Sequence, residues 1–335
     1  MEERRGDART KLPADCDEPT DATDRRDRPN DPVARVSSHN GVVVMSTTVV
    51  IESAKEMREW SRARRAEGKK VAFVPTMGAL HEGHLTLLDV AKTRGDVLVM
   101  SIYVNPKQFA PGEDFDAYPM VMEGDLAAAR ARGATCVFAP KEMYVDASVG
   151  DVPPHETTVE VNEMSKGLCA ITRPHFFKGV ATVVTKLFNV VEPDVAVFGK
   201  KDYQQWRVIR RMVRDLDFDI DIVGGEIVRE SDGLAMSSRN LLLTPEKRAE
   251  AVVINQSLRK AKELAETEKN VESERLVAMV TDAINGGGGV VDYVEAVHPE
   301  TLKPYTGVIV SPCVMVIAAK FGQVRLLDNI EIMFG

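Results

Sequence analysis

The sequence predicts an α/β fold: a Rossmann-like parallel sheet with flanking helices, then a smaller C-terminal α+β part with a short antiparallel sheet. Three observations carry this. From about residue 48, short apolar runs alternate with amphipathic helical stretches, the order of a sheet flanked by helices. The strand candidates are continuously apolar, as burial on both faces requires. After residue 289, several β-rich runs follow in succession, which reads as an antiparallel sheet.

Residues 1–47 are expected to be a disordered extension. Arg, Asp and Pro dominate, as in Asp24-Arg25-Arg26-Asp27-Arg28, with few large apolar groups to offset the entropy of folding. A transit peptide would be poor in acids, which this segment is not, and Met45 is an alternative start. The nucleotide-binding part is expected over 48–224, with buried strands at Val71-Ala72-Phe73-Val74-Pro75, 97–104, 135–139 and Val195-Ala196-Val197-Phe198. Apolar spacing of i, i+3, i+4 predicts helices at 52–67, 85–94, 124–132, 180–191 and 203–216. Residues 225–335 are expected to form a C-terminal lid. Its helix begins near Thr244-Pro245-Glu246, where Thr caps and Pro takes the first helical position. Ala251, Ile254, Leu258, Ala261 and Ala265 make the buried stripe. Strands are expected at 290–297, 308–310, 314–318 and 324–332, beyond a turn at 286–289.

A net charge of −8 argues against general binding to nucleic acid or membrane surfaces, which are themselves polyanionic. No apolar run approaches the ~20 residues that a membrane-crossing helix needs, and no apolar signal segment opens the chain. Cys16, Cys136, Cys169 and Cys313 stand far apart without a CxxC pair. That spacing argues against a zinc ribbon or disulfide framework and fits a reducing, cytoplasmic compartment.

Four segments carry chemistry. Met77-Gly78-Ala79-Leu80-His81-Glu82-Gly83-His84 lies between a strand and a helix, where free amides and a positive helix end attract phosphates. Glycines allow close backbone approach, and His81 and His84 can donate to charge developing on a triphosphate. A pair of surface histidines in a turn is the plainer reading; zinc is disfavoured, because the spacing is not HExxH and no third ligand lies near. Met236-Ser237-Ser238-Arg239-Asn240 offers hydroxyls and a guanidinium suited to the β- and γ-phosphates, although alone it also reads as a loop with a helix-capping serine. Gly199-Lys200-Lys201-Asp202, again between strand and helix, offers Lys201 to phosphates and Asp202 to a ribose hydroxyl or as an N-cap, with Gln205 beyond for an acyl substrate. Asn105 and Gln108, in the segment 101–109, suit a neutral hydroxyl-bearing substrate, since amides both donate and accept.

The HxGH segment and the Met236–Arg239 loop resemble signatures of the nucleotidylyltransferase superfamily. All four segments, in this order from about residue 48 to the C-terminus, resemble the pantothenate synthetase (pantoate:beta-alanine ligase) family, with its plant-type members the closer likeness. The stretches Thr182 through Pro193 and Val324-Arg325-Leu326-Leu327-Asp328-Asn329 add to the likeness. The resemblance implies activation of pantoate by ATP as pantoyl-adenylate, then attack by beta-alanine, with Mg2+ accompanying ATP and a homodimeric assembly. It places residues 77–84, 199–202, Val228 and Met236 through Arg239 on ATP, with His84 the proton donor. It places Gln108, Gln205 and Arg173 on pantoate, with Gln108 also meeting beta-alanine, and Asp125 as a magnesium contact. This chain reads Arg173-Pro174-His175-Phe176 where the family often has RPGHF, and Met120 stands where an Arg is usual. Two alternatives remain: an adenylyltransferase that leaves AMP on its product, and a non-catalytic nucleotide-binding regulator. Retention of His81, His84, Lys201, Ser237, Ser238 and Arg239 together speaks against the second.

Overall fold

The computed structural model describes residues 48–333, except 110–112, 114, 116–117, 146–152 and 269. The expected disorder of 1–47 and the start at Met45 fall outside the described residues. What is described belongs to one compact unit, Met45–Gly335.

Six strands form a parallel sheet: β1 (Val49–Ile51), β2 (Val71–Thr76), β3 (Val97–Ile102), β4 (Cys136–Phe138), β5 (Val195–Gly199) and β6 (Asp221–Gly225), in the order β1-β4-β3-β2-β5-β6. The crossovers carry α1 (Ala54–Ala66), α2 (Glu82–Lys92), α3 (Met122–Ala131), the short α4 (Cys169–Thr172), α5 (Phe176–Val191) and α6 (Tyr203–Asp215). Strand β2 shows why its run is apolar throughout. Val71 and Phe73 face a core shared with α1, α5 and α6, while Ala72 and Val74 face a second core against α2, as the period-two alternation of a strand dictates. Fully buried Phe73 meets Phe188 of α5 edge-on, with centroids 6.4 Å apart. Truncating a phenylalanine in such a position costs about 3–5 kcal/mol.

From β2 the chain moves outward through β3 to β4, whereas β5 and β6 lie on the other side of β2. The order therefore reverses between β2 and β5, whose residues Ala72 and Phe73 pair with Val195 and Ala196. A crevice opens at the carboxyl ends of strands at such a reversal, and the segments after β2 and β5 are the two expected to meet phosphate.

The later elements are α7 (Pro245–Glu250), α8 (Val253–Thr267), α9 (Ser273–Gly286), and strands β7 (Val290–Val297), β8 (Cys313–Phe321) and β9 (Val324–Ile332), which pair antiparallel in that order. Thr244 caps α7 by accepting from Lys247 N, with Pro245 at the first turn. The expected single helix is broken at Ala251-Val252 into α7 and α8, yet its stripe from Ala251 to Ala265 is buried as a unit. Residues 308–310 are not a strand: Val308 makes one isolated bridge to Glu272, in a segment bent by Gly307 at φ +71° and bounded by Pro304 and Pro312. Strands β1 and β6 and helix α9 go beyond the elements expected from sequence.

Candidate active site

Helix α2 begins at His81, whose extended backbone makes it the N-cap. Its Nδ1 accepts from Gly83 N at 3.1 Å, while Nδ1 of His84 accepts from His81 N at 3.4 Å. The two rings thus form a reciprocal capping box from imidazoles instead of the usual hydroxyl and carboxylate. This fixes their chemistry. A nitrogen that accepts an amide hydrogen carries no proton, so in each neutral ring Nε2–H is the donor. Burial lowers the pKa of His84 to about 3, helped by His81 and Lys201, and burial with Lys201 lowers that of His81 to about 4. Both rings are neutral at pH 7, and each has Nε2–H available as a hydrogen-bond donor.

Gly83 makes the stacking of these rings possible, because a Cβ there would lie 2.8 Å from the His81 ring; the same position is 3.8 Å from Met236 Cβ, so the second motif packs on the first. Upstream, Ala79 sits in the left-handed region at φ +52°, a conformation that costs on the order of 1 kcal/mol for a residue with a Cβ. Asp125 of α3 holds it there by accepting Ala79 N at 2.9 Å and Leu80 N at 2.8 Å. The carboxylate of Asp125, expected to be a magnesium contact, is buried, does not line the cleft, and spends one oxygen on each amide, so it braces the loop.

Behind β5, Lys200, Lys201 and Asp202 make one 3-10 turn leading into α6. Lys201 faces the cleft, with Nζ 3.7 Å from Asp202. Asp202 occupies the N-cap position without a side-chain capping bond. Lys200 is turned away to Glu226 at 2.6 Å and Glu331 at 3.2 Å. Beyond β6, Val228 O accepts from Met236 N at 2.9 Å, closing a turn that delivers Ser237, Ser238 and Arg239 to the cleft. Glu230 tethers that turn through Asn240 at 2.8 Å and Arg248 at 2.6 Å.

One cleft of about 750 Å³ joins Met77, His81, Gly83 and His84 to Gly199, Lys201, Asp202, Val228 and Met236 through Arg239, and to Asn105, Gln108, Arg173 and Gln205. Gly78, Ala79, Leu80, Glu82 and Lys200 do not line it; Glu82 instead pairs with Arg132 on the outer side of α2. Buried Asn105 has both amide hydrogens committed, to Gln108 Oε1 and Gly179 O at 3.1 Å each, so it orients Gln108 more than it awaits a substrate. Gln108 Nε2 reaches Met77 Sδ at 3.0 Å, tying the two segments together. Arg173 lies over the Phe176 ring at 4.0 Å and forks onto Glu113 at 2.7 Å in both bonds. Glu113 thus takes Nε and one terminal nitrogen of the guanidinium and fixes how Arg173 faces the cleft.

Several lining residues were not expected. Gln204, beside Gln205, is buried and pins the 164–169 loop through Met164 O, Gly167 O and Cys169 N. From the antiparallel sheet come Tyr293, Arg325, Asp328 and Asn329. Of these, Arg325, Asp328 and Asn329 lie in a stretch that adds to the family likeness, but the sequence attaches no role to them.

A parallel sheet whose switch point carries a histidine-capped helix, a lysine turn and a serine–arginine loop defines a nucleotide-binding enzyme of the HxGH class. Residues 49–331 match the family described as Pantoate-beta-alanine ligase. The chain belongs to that family. It is 48% identical over 305 residues to a pantoate–beta-alanine ligase of Lotus japonicus, covering 85% of this chain and 98% of that one. It is 50% identical over 308 residues to the one of Arabidopsis thaliana, covering 84% and 97%. Among solved structures, pantothenate synthetase from Thermus thermophilus matches with a TM-score of 0.76 at 38% identity, over 84% of this chain and 99% of that one. The pantoate-beta-alanine ligase of Francisella tularensis, complexed with beta-gamma ATP and beta-alanine, matches with a TM-score of 0.68 at 30% identity, over 85% and 97%.

Proposed function

We propose that this chain is the ATP-dependent ligase that joins pantoate to beta-alanine in pantothenate biosynthesis. The supporting observation is the convergence, in one cleft, of triphosphate-directed groups from three loops with Gln108 and Gln205 beside them. In the first step a carboxylate oxygen of pantoate attacks the α-phosphorus, the bond to the β-phosphate oxygen breaks, and pyrophosphate leaves. The Nε2–H groups of His81 and His84 donate to the α-phosphate region, while Lys201 and Ser237 through Arg239 hold the departing charge. In the second step the neutral amine of beta-alanine attacks the acyl carbon, the acyl–phosphate bond breaks, AMP leaves, and the amine proton passes to solvent. Gln108 and Gln205 orient pantoate, and Arg173, held by Glu113, meets a carboxylate. The protein supplies position and charge rather than a nucleophile.

No group of three or more potential ligand side chains capable of holding a metal ion occurs among the described residues. In this reading Mg2+ arrives carried on the triphosphate, the usual arrangement for this cation. It would neutralise phosphate charge there, beside Asp202 of the lysine turn, which lines the cleft. A cytoplasmic homodimer, with residues 225–335 moving as a lid over 48–224, completes the reading; light scattering and small-angle scattering with and without ATP would check assembly and closure. The deciding experiment incubates the protein with ATP, Mg2+, pantoate and beta-alanine and identifies products by mass spectrometry. Pantothenate and AMP should form only when both acid and amine are present. AMP retained on a product would instead indicate an adenylyltransferase.

A further inference from the structure

Strand β9 holds two of the loops that grip the nucleotide. Asn329 Nδ2 donates to Lys200 O at 2.9 Å and to Lys201 O at 3.0 Å, which fixes the turn that aims Lys201. Its neighbour Asp328 receives Arg229 as a fork, at 2.7 Å from one terminal nitrogen and 2.9 Å from the other. Arg229 also donates to Gly233 O at 3.1 Å, inside the turn that ends in Met236 and the serine–arginine loop. Asp328 Oδ1 accepts Asn329 N at 2.8 Å, so the two braces are themselves linked. Asp328 and Asn329 are 3% and 4% exposed. A buried aspartate–arginine pair contributes little net stability, because desolvation offsets attraction; a fork of this kind does fix geometry.

We infer that Asp328 and Asn329 are positioning residues of the adenylation step, with one strand setting the separation of Lys201 from Ser237 through Arg239 around the triphosphate. The inference rests on the adenylate-forming reading above. Departure of pyrophosphate needs both loops on the same leaving group. Attack of beta-alanine on the adenylate no longer calls on Lys201 and Ser237 through Arg239 to hold that group, since pyrophosphate has gone by then. Loss of the brace therefore separates the two half-reactions, which a general loss of stability does not.

Two variants of the full chain test this. Asn329→Leu keeps the size and removes both donated hydrogens; Arg229→Lys keeps a cation opposite Asp328 and removes the fork. Adenylation is read as pantoate-dependent exchange of labelled pyrophosphate into ATP. Transfer is read as single-turnover consumption of added pantoyl-adenylate with saturating beta-alanine, and a melting curve accompanies each. Exchange at saturating ATP should fall ~10²-fold in both variants, the scale of an ångström-sized misplacement, while transfer stays within ~3-fold of the unmodified protein. Equal losses in both half-reactions, or exchange unchanged, overturn the inference. If Asn329→Leu does not fold, Arg229→Lys decides by the same split. An unmodified protein that performs neither half-reaction overturns the ligase reading and the brace with it, a result distinct from an active protein whose variants fail to split.

Discussion

Helix α5 passes the Asn105–Gln108 turn at Gly179, and a single added methyl there should disable the pantoate end of the cleft. A Cβ at Gly179 would lie 2.2 Å from Lys107 O, 2.5 Å from its carbonyl carbon and 2.8 Å from Gln108 N. All three are backbone atoms, so no side chain can rotate out of the way. Non-bonded carbon contacts sit at roughly 3.5–4.0 Å, so helix and turn must part by about 1 Å. The displacement would stretch the 3.1 Å bond from Asn105 Nδ2 to Gly179 O and release the amide that orients Gln108. Overpacking costs about 1–3 kcal/mol, and an unsatisfied buried amide about 1–3 kcal/mol more. Helix propensity works the other way, favouring alanine by about 1 kcal/mol.

The net expectation for Gly179→Ala is a loss of about 1–5 kcal/mol, a fall in Tm of about 2–15 °C at the few degrees per kcal/mol expected of a larger domain. A shift of Gln108 by about 1 Å should lower kcat/KM for pantoate ~10²-fold. KM for ATP, bound by other loops, should change little. Differential scanning fluorimetry and a coupled AMP assay read both effects. A variant that melts higher, as propensity alone predicts, and retains kcat/KM for pantoate would refute the packing argument.

His84→Ala or Lys201→Ala should slow adenylate formation ~10²–10³-fold, the usual loss for one charge-stabilising donor, with unchanged pyrophosphate exchange removing that residue from the mechanism. Because burial holds the pKa of His84 at about 3 against about 6.5 in an unfolded chain, the unfolded state takes up the proton first as pH falls. Stability is whole above pH 6.5 and declines below it, so moving from pH 7.5 to 5.5 should cost about 1.4 kcal/mol from this residue. Urea unfolding at both values should show that difference shrink in His84→Gln; an identical pH dependence would count against a buried neutral imidazole. Chelation with EDTA should stop pyrophosphate exchange and added Mg2+ restore it, while the melting temperature of the nucleotide-free protein stays fixed. A drop in that temperature would mean a metal held by the protein itself.

The elements most legible in the sequence are those where local chemistry and tertiary demand agree. Val71 through Val74 is apolar at every position because both faces of β2 are covered, and Thr244-Pro245 starts a helix because both residues suit that end. Where they disagree, the sequence is ambiguous. Val49 and Val50 in β1 are exposed on a three-residue edge strand, too short to give a period. Gly224 and Gly225 read as a break, yet they end β6, since side chains there would strike the Trp206 ring and Leu87. Helix α9 is a different case: Leu276, Met279, Val280, Ala283 and Ile284 keep the full i, i+3, i+4 spacing, so its signal is present in the sequence although no helix was expected there. The site divides in the same way. The cleft's loop residues follow from motif and strand–helix position, whereas the bracing residues Asp125, Gln204, Asp328 and Asn329 act across sequence gaps that no local pattern records.

That division bears on what the histidines are for. A ring that must deliver a proton at neutral pH is best served by a pKa near 7, and the structure holds both rings well below it. Spending each Nδ1 on a helix amide gives up acid strength and gains a fixed donor, with each Nε2–H committed before any substrate arrives. Formal positive charge is left to Lys201 and Arg239, on loops that strand β9 and the Glu230 network secure from outside the cleft. Adenylation moves negative charge from the attacking carboxylate onto the departing pyrophosphate without needing a proton transfer at the α-phosphorus. Oriented dipoles at the helix end and held cations at the leaving group match that redistribution, and a titrating imidazole between them would add a pH dependence that the reaction does not require.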